Sequence, residues 1–512
     1  MIVEDQREII DFLSAPSTFG ADIVHVERID THSASIFLAG DRAYKLKRAV
    51  RYDYLDFSTR DIRHAACEAE IALNRRTAPQ LYLGVVAVTR DADGRLVLAG
   101  DGEPVDWLVH MARFDQSALL DGLAARGELD VGLMPRLAAA IAGLHQAAEP
   151  RTDHGGHAGL SWVIEGNATG LAEHGGDLVD RADRDRLNTC ARAALARGRD
   201  QLEDRRRTGW VRVCHGDLHL GNIVLIGDHP TLFDGVEFND EISCIDVLYD
   251  VAFLLMDLWR LHLRAHANVL FNEYLAATAQ FDAVSLLPLF LSCRSAVRAK
   301  TSATATRLQS DPVEARRLAA AARDYLALAL ALLQPAPPRL VAVGGWSGSG
   351  KSTLARRLAP DVGSAPGAVL LRSDVLRKTL CGVHLTTRLG ADAYERPVTD
   401  RVYRLLAEQA AVALRAGHSV MLDAVFGDAA ERIAAADVAR VAGVPFTGLW
   451  LEAPTGVLAS RVEHRGLDAS DATVGVLQQQ TARGTGPLDW VRIDASGDPD
   501  EVYRRAGRLL VP

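Results

Sequence analysis

The fold of the first part of the chain is decided by Val213-Cys-His-Gly-Asp-Leu-His-Leu-Gly-Asn222, which is followed by Thr231-Leu-Phe-Asp-Gly-Val-Glu-Phe238. Asp217 and Asn222 lie in a predicted loop. The turn-forming residues between the two stretches predict a short hairpin that returns Asp234 to the side of that loop. Three oxygen-bearing side chains would then meet in one pocket. The alternative is a polar turn between two strands, because turns use Asp, Asn and Gly freely.

Asp217 and Asn222 have the spacing of the kinase pattern H-x-D-x-x-x-x-N, in which the Asp accepts the proton of the attacking hydroxyl and the Asn holds Mg²⁺. Asp234 stands where a kinase carries its metal-binding acid. With these residues the segment resembles the aminoglycoside phosphotransferase-like branch of the protein-kinase fold, whose members phosphorylate antibiotics, choline and other small hydroxyl compounds. The resemblance implies an α+β bilobal domain over residues 1–334, with a small lobe at about 20–112 and a helical lobe at about 113–334.

The resemblance also implies a nucleotide-binding lysine in the small lobe. Ala43-Tyr-Lys-Leu-Lys47 predicts a strand with Lys45 and Lys47 on one face. Lys45 fits the kinase register better as the contact to the α- and β-phosphates of ATP, and Lys47 is the alternative. The following predicted helix carries Glu68 and Glu70, one of which should pair with that lysine. Glu70 is the first choice by resemblance, but the sequence does not separate the two.

Two further expectations concern the surroundings of this site. The segment Thr31-His-Ser-Ala-Ser35 occupies the place of the phosphate-covering loop and contains no glycine, so the loop departs from the family pattern. The segment His215–Asn222 is called the catalytic loop below, after the kinase pattern that it resembles. Asp250, in the predicted helix that follows it in the chain, is expected to be a structural acid that supports this loop.

The bulk composition describes an ordinary globular protein of 512 residues, with 48% hydrophobic and 24% charged residues. The net charge of −9, with no basic run beyond Arg205–Arg207, makes nucleic acid an unlikely partner. No apolar stretch of membrane-spanning length and no signal peptide are recognised, which predicts a cytoplasmic protein. The six scattered cysteines predict reduced thiols rather than disulfides or a zinc site.

After Gln334-Pro-Ala-Pro-Pro338 the sequence changes character. Residues 335–338 predict a stiff linker, and residues 339–512 a second domain. A continuous apolar strand, typical of a buried parallel sheet, leads into Gly345-Trp-Ser-Gly-Ser-Gly-Lys-Ser352, a complete Walker A match. Its backbone N–H groups would wrap the phosphates of ATP, and Ser352 would ligate Mg²⁺. The predicted nucleotide contacts are Gly345, Gly348, Gly350, Lys351, Ser352 and Thr353.

Two later strands of this α/β domain end in an acid, Asp374 and Asp423. Because the carboxyl ends of parallel strands converge on the ligand crevice, both acids are well placed. Asp423 suits a Walker B acid that acts on Mg²⁺. Asp374 suits a base or orienting acid for the accepting hydroxyl, with Arg377 one turn further along as a substrate contact. The alternative is that these acids are simply polar strand ends.

Arg461 and Arg465 lie four residues apart, on one face of a predicted helix. In this order of elements the domain resembles the P-loop small-molecule kinases related to gluconate, shikimate and polynucleotide 5′-kinases. The resemblance implies that the two arginines form a catalytic lid over ATP and that Gln479 lies near the nucleotide.

Together, these motifs predict an ATP- and Mg²⁺-dependent phosphotransferase with two kinase-like modules, acting on a hydroxyl of a small molecule such as a sugar, amino sugar or aminoglycoside. Three alternatives stay open. Only the P-loop half catalyses and the first half regulates it, or the P-loop half phosphorylates nucleic-acid 5′ ends, or the protein is a non-enzymatic ATP-dependent switch. The acceptor and the oligomeric state are not encoded in any motif.

Overall fold

The computed structural model describes residues 3–52, 54–464 and 469–510. The chain forms two compact units, one of Met1–Gly166 with Leu195–Asp257 and one of Asn167–Ala194 with Leu258–Pro512. The boundaries of these units differ from the domain boundary predicted at 335–338, and that boundary stays a prediction. The helices that immediately precede the linker belong to the same compact unit as the P-loop.

The N-terminal region begins with a helix and a sheet. Its elements are α1 (Arg7–Ser14), β1 (Val26–Asp30), β2 (Ala34–Ala39), β3 (Arg42–Lys47), β4 (Arg51–Tyr52), β5 (Leu55–Asp56), α2 (Arg60–Asn74), β6 (Tyr82–Arg90), β7 (Leu96–Leu98) and β8 (Glu103–Ala112).

The main sheet has the antiparallel order β1-β2-β3-β8-β6-β7. Alternating side chains of its strands bury two apolar faces. One face packs against α2 through Cys67 and Ile71, and the other packs against α1 through Ile9 and Leu13. Side chains of α2 are therefore next to the inner strand β3 and its lysines.

The chain continues with mainly helical elements. They are α3 (Leu120–Ala125), α4 (Met134–Ala147), α5 (Gly156–Gly175), α6 (Arg181–Arg197), α7 (Arg199–Arg207), β9 (Val211–Val213), β10 (Ile223–Ile226), β11 (His229–Leu232), α8 (Asp240–Ser243), β12 (Cys244–Asp246) and α9 (Val247–Arg260). Strands β10 and β11 form the predicted hairpin, with Ile223 opposite Leu232. The hairpin begins directly after Asn222 and ends just before Asp234, which confirms the predicted return of the chain.

The remaining elements belong to the second unit. They are α10 (Arg264–Thr278), α11 (Leu287–Leu308), α12 (Pro312–Leu332), β13 (Leu340–Gly345), α13 (Lys351–Leu358), β14 (Val369–Arg372), α14 (Ser373–Leu380), α15 (Arg396–Arg415), β15 (Val420–Asp423), α16 (Ala429–Ala442), β16 (Phe446–Glu452), α17 (Thr455–Glu463), α18 (Val474–Arg483), β17 (Val491–Asp494) and α19 (Pro499–Arg508). Within the described ranges, no helix combines the length and the apolar character needed to cross a bilayer.

The second sheet is parallel, with the order β14-β15-β13-β16-β17. Its central strand β13 is buried along its whole length, as its continuous apolar sequence predicts. The register places Asp423 beside Val343 on one side and beside Arg372 on the other. The predicted fold class, an α+β region followed by an α/β domain with a parallel sheet, is confirmed.

Candidate active sites

Two lysines of β3 share one glutamate of α2. Lys45 Nζ lies 2.9 Å from Glu70 Oε1 and 2.6 Å from Asp234 Oδ1. Lys47 Nζ lies 2.7 Å from Glu70 Oε2 and 2.5 Å from Glu237 Oε1. With all five groups ionised, the cluster carries two positive and three negative charges. The excess negative charge favours the binding of a cation beside Asp234.

The electrostatics of the cluster follow from burial and pairing. Burial disfavours the ionised form of Glu70, but Lys45 and Lys47 outweigh it and lower the pKa of this carboxyl to about 2. Burial also opposes the charge on Lys45, yet Asp234 and Glu70 raise its pKa well above the ordinary value. For Glu237, burial dominates over Lys47 and raises the pKa.

The two glutamates of α2 have different surroundings. The helix is capped by the Thr59 side chain, which accepts a hydrogen bond from the Ile62 N–H. Glu70 faces the sheet and is fully buried. Glu68 is exposed and lies 3.8 Å from the ring of His64. Glu70 is therefore the glutamate that contacts the lysines.

In the catalytic loop, two neighbouring side chains contact the Asp217 carboxylate. Asn222 Nδ2 donates to the Asp217 backbone oxygen at 2.9 Å and to Oδ2 at 3.1 Å. The Gly221 N–H donates to His219 Nδ1 at 3.1 Å, so the proton of a neutral His219 ring is on Nε2, which lies 3.4 Å from Asp217 Oδ2. The carboxylate of Asp217 is 41% exposed, so a substrate hydroxyl can reach it.

Asp250 supports the catalytic loop from below, as the sequence predicts. Its carboxylate accepts the backbone N–H groups of His215 at 3.1 Å and Gly216 at 3.0 Å, and it lies 3.0 Å from His145 Nε2. Asp250 is fully buried. A buried acid with these partners fixes backbone geometry and is not available to a substrate.

Asp234 is held in an unusual backbone conformation. Its φ of 61° lies in the left-handed region, which is uncommon for a residue with a side chain. The Asp234 N–H donates to Tyr82 Oη at 3.0 Å, and the Gly235 N–H donates to Asn74 Oδ1 at 2.8 Å. The Phe233 N–H donates to the Asn222 backbone oxygen at 3.1 Å. These contacts fix Asp234 relative to both α2 and the catalytic loop.

Asn222 and Asp234 have the chemistry of a Mg²⁺ site. The amide nitrogen of Asn222 is engaged by Asp217, which leaves the amide oxygen as its atom for a cation. Asp234 adds a carboxylate that is 45% exposed. Oxygen donors are the ligands that Mg²⁺ prefers, so the two side chains fit the metal predicted for them.

The P-loop has the strand–loop–helix form predicted for a phosphate site. Gly345, Gly348 and Gly350 all have positive φ, and Lys351 begins α13 with Ser352 and Thr353 in its first turn. At Gly348, with φ +82°, an added Cβ would lie 2.4 Å from the Leu458 backbone oxygen. Only glycine allows this close approach between the loop and α17. Lys351 Nζ donates to the Trp346 oxygen at 3.1 Å.

The residue of α18 that contacts the P-loop is Gln480, the neighbour of Gln479, whose place near the nucleotide stays a prediction. The Ser347 N–H donates to Gln480 Oε1 at 3.0 Å, whereas Gln479 is exposed. The physical reason is helical phase. Adjacent residues of a helix differ by about 100° in direction, so only one of the pair faces the loop.

The two acids predicted at strand ends lie near Arg372, which the sequence did not single out. Asp423 ends β15 as predicted, but Asp374 lies in the first turn of α14, because the strand stops at Arg372 and the chain turns directly into the helix. Arg372 Nε donates to Asp423 Oδ2 at 3.1 Å, and both side chains are buried. Burial and the nearby Asp423 raise the pKa of Asp374, while Lys351, the Ser470 hydroxyl and Arg372 oppose that rise. Asp374 and Asp423 therefore share one electrostatic environment with the P-loop lysine.

Arg377 follows Asp374 within α14 and is buried. Its Nη1 donates to the Ala393 oxygen at 2.6 Å, and its guanidinium carbon lies 4.7 Å from the centre of the Tyr394 ring. Asp471 accepts from Tyr394 Oη at 2.8 Å and from Lys378 Nζ at 2.5 Å. Asp471 therefore ties the segment before α18 to α14 and to the loop that follows it.

Arg461, the first of the two predicted lid arginines, contacts backbone oxygens. Arg461 Nη1 donates to the Ala495 oxygen at 2.8 Å, and Nη2 lies 3.4 Å from the Ser496 oxygen. In this arrangement its guanidinium contacts the residues after β17. Arg465 lies outside the described residues. The catalytic role of both stays a prediction.

Several site side chains had no role in the sequence-based prediction. They are Glu237, His219, Arg372, Lys378, Asp471 and Gln480. Glu237 and His219 stand inside the quoted motifs, so proximity in the chain was an available signal. The others come together only through the packing of distant elements.

Comparison with known proteins agrees with the two kinds of module. A family model described as phosphotransferase enzyme family matches residues 38–289, and a model described as an AAA domain matches residues 340–487. Proteins described as uncharacterized from Mycobacterium tuberculosis and Mycobacterium bovis are 34% identical over 490 residues, which cover 93% of this chain and 94% of each relative.

Among solved structures, a choline/ethanolamine kinase family protein from Mesorhizobium loti covers 64% of this chain and 99% of its own, with 14% identity and a TM-score of 0.38. A gluconokinase from Sinorhizobium meliloti covers 34% of this chain and 91% of its own, with 24% identity and a TM-score of 0.24. These low TM-scores carry no conclusion about activity. The family models and the full-length relatives show that the chain belongs to a family of two-module kinases, in which a phosphotransferase-family domain is followed by a P-loop kinase domain.

Proposed function

We propose that the protein is an ATP- and Mg²⁺-dependent phosphotransferase in which each module transfers a γ-phosphate to a hydroxyl of a small molecule. The observation that carries the proposal is the position of Lys45 between Glu70 and Asp234, next to a hydrogen-bonded Asp217–Asn222 pair. A lysine held by a helix glutamate and a metal-binding acid is the arrangement that grips nucleotide phosphates in kinases.

In the first module, residues of this chain would orient the acceptor hydroxyl and accept its proton. Asn222 and His219 hold the exposed Asp217 carboxylate in place, so this carboxylate can align the acceptor hydroxyl and accept its proton. Lys45 would exchange its contact with Asp234 for the phosphates of ATP. A Mg²⁺ held by Asn222 and Asp234 would neutralise charge on the phosphates.

In the second module, Asp374 is our candidate for the group that orients the acceptor hydroxyl. Its raised pKa brings it closer to the range of an effective base. Lys351 would contact the β- and γ-phosphates of ATP, and Ser352 with Asp423 would hold Mg²⁺. For Arg377 we propose a contact to the acceptor, and for Arg461 and Arg465 the lid role over the phosphates that the resemblance implies.

The acceptor we propose is a sugar, an amino sugar or an aminoglycoside-like compound, and the protein is proposed to act in the cytoplasm. The net charge of −9 does not favour a nucleic-acid acceptor.

A second candidate function has only the P-loop module as catalyst. It is favoured by the connection between β1 and β2, where the Thr31 N–H donates to the Ala34 oxygen at 2.8 Å in a tight turn without glycine. Such a turn offers fewer backbone N–H groups to phosphates than a glycine-rich loop. The first module would then bind a ligand and regulate the second.

The two candidates are separated by measuring ADP release against a panel of sugars, amino sugars, aminoglycosides and an oligonucleotide. The variants are Asp217→Asn and Lys351→Ala. The control for Asp217→Asn is Asp228→Asn, which makes the same change at an exposed turn residue. We expect Asp217→Asn to slow turnover of one acceptor by roughly 10² to 10⁴. Full activity of Asp217→Asn together with loss in Lys351→Ala would favour the second candidate. No stimulated turnover by any acceptor would count against both.

A further inference from the structure

The edge strand of the P-loop sheet is covered by two asparagines of a helix. Asn272 Oδ1 accepts the Leu370 N–H at 2.7 Å, and Asn272 Nδ2 lies 3.2 Å from the Ala368 oxygen. Asn268 Nδ2 donates to the Ala368 oxygen at 3.0 Å and to the Pro366 oxygen at 3.1 Å. Both asparagines belong to α10, so four contacts join this helix to β14 and the segment leading into it.

These contacts occupy the outer side of β14. Successive residues of a strand direct their N–H and C=O groups to opposite sides. The Val369 N–H donates to the Ser419 oxygen, towards β15, so Leu370 and the Ala368 carbonyl face away from the sheet. An edge strand normally presents such groups unpaired. Here the primary amides supply the donor and the acceptor that another strand would supply.

The fit between helix and strand is close. Asn268 is 2% exposed, and the neighbouring Phe271 is fully buried, with its ring centre 5.4 Å from that of His418. Gly367 has φ +95°, and an added Cβ would lie 2.7 Å from Asn268 Nδ2 and 2.6 Å from the Ala359 oxygen. The chain before β14 therefore approaches α10 at a distance that only glycine permits.

The covered strand leads directly to the side chains proposed for the P-loop site. Leu370 is two residues before Arg372, whose Nε is 3.1 Å from Asp423 Oδ2, and Asp374 follows two residues later. Glu273 of the same helix is also in the field of Arg372. Burial raises the pKa of Glu273, and Arg356 and Arg372 oppose that rise. The position of β14 thus determines where Arg372, the partner of the proposed Mg²⁺ acid Asp423, and the proposed base Asp374 lie.

We propose that Asn268 and Asn272 are positioning residues of the P-loop site, which act through β14 on Arg372 and Asp423. This inference rests on the function proposed for the second module. Helix α10 lies inside the stretch 38–289 that matches the phosphotransferase model, although it contacts the sheet of the P-loop module. A segment of the first family's sequence therefore completes the second family's catalytic domain, and a fragment that starts at residue 339 lacks it.

The test uses the full chain with Asn268→Ala and Asn272→Ala combined. Hydrogen exchange is measured for peptides that cover β14, and the affinity for ADP is measured with and without Mg²⁺ in a Lys45→Met background, which removes the nucleotide contact of the first module. The matched control is Asn167→Ala. Asn167 is a 4% exposed asparagine of the same unit whose amide donates to the Cys293 oxygen, away from the P-loop sheet.

We expect the double variant to exchange the Leu370 amide about tenfold faster or more, since a partly buried donor loses its hydrogen-bond partner. We also expect a Mg·ADP affinity several-fold weaker, with metal-free ADP changed less and the Asn167→Ala protein unchanged in both respects. Unchanged exchange in β14 would refute the contact itself. Faster exchange with unchanged Mg·ADP affinity would refute the positioning role.

The outcome also separates this inference from the function on which it rests. If the Lys45→Met protein with both asparagines intact binds no Mg·ADP, and Lys351→Ala makes no difference, the proposed function of the second module fails and the positioning role fails with it. In that case the exchange of β14 still decides whether α10 covers the strand.

Discussion

Replacement of Lys47 by methionine should destabilise the first unit strongly, because Lys47 is a buried charge with two buried partners. Its side chain is 2% exposed, and Glu70 and Glu237 are 0% and 5% exposed. The change leaves Glu237 without the lysine that pairs with it and leaves Glu70 with Lys45 alone. Removing one member of a buried ion pair typically costs about 3–5 kcal/mol. Methionine has a similar volume, so the loss reports charge rather than a cavity.

The matched partner of this variant is the double variant Lys47→Met with Glu237→Gln. When both charges of a buried pair are removed, much of the penalty disappears, because no uncompensated ion remains. We therefore expect the double variant to recover at least half of the stability lost in Lys47→Met. The difference between the double variant and the sum of the single variants measures the coupling of the pair.

The assay is thermal unfolding, in which a unit of this size shifts by roughly 2–4 °C per kcal/mol. Nucleotide titration is done in parallel on Lys45→Met, which we expect to lose nucleotide binding at the first site with a smaller loss of stability, because its partner Asp234 is 45% exposed. Additive effects of Lys47→Met and Glu237→Gln would refute the pairing. A Lys47→Met protein that stays stable but loses nucleotide binding would reverse the roles of the two lysines.

Three further predictions follow from the same contacts. Because the folded pKa of Glu70 is lowered from 4.5 to about 2, its stabilising effect is complete above pH 4.5 and is lost as the pH falls towards 2. Across that range, the melting temperature of Glu70→Gln should depend less on pH than that of the unmodified protein. An equal pH dependence of the two melting temperatures would count against the pairing. Gly348→Ala should abolish Mg·ADP binding at the P-loop, since its Cβ would lie 2.4 Å from the Leu458 oxygen, and retained affinity in a titration would contradict this. Asp471→Ala should destabilise the second unit by about 3–5 kcal/mol, because the buried Lys378 ammonium loses its carboxylate and keeps only the Thr387 oxygen as a partner. The additional change Lys378→Met should restore part of the melting temperature.

Local motifs allowed much of the molecule to be predicted. The Walker A sequence determines a strand, a glycine-rich loop and a helix within a few residues, since its glycines and apolar run act locally. The hairpin between Asn222 and Asp234 was predictable for the same reason. The choice between Glu68 and Glu70 could not be made, because both lie in one helix whose rotation about its axis is set only when it packs on the sheet.

Contacts between distant segments could not be predicted from the sequence alone. Asp471 contacts Lys378 across 93 positions, and Asn268 reaches the Ala368 carbonyl across 100. Such pairs carry no spacing signal, because their geometry depends on how whole elements dock. Gln480 rather than Gln479 faces the P-loop for a related reason, since the phase of α18 is set by its packing. The sequence thus determined the two kinds of module and where their candidate phosphate-binding residues lie, since that chemistry needs fixed local spacing. Only the tertiary structure decided which side chains hold those residues in place, and that a helix before the linker covers the edge strand of the P-loop sheet.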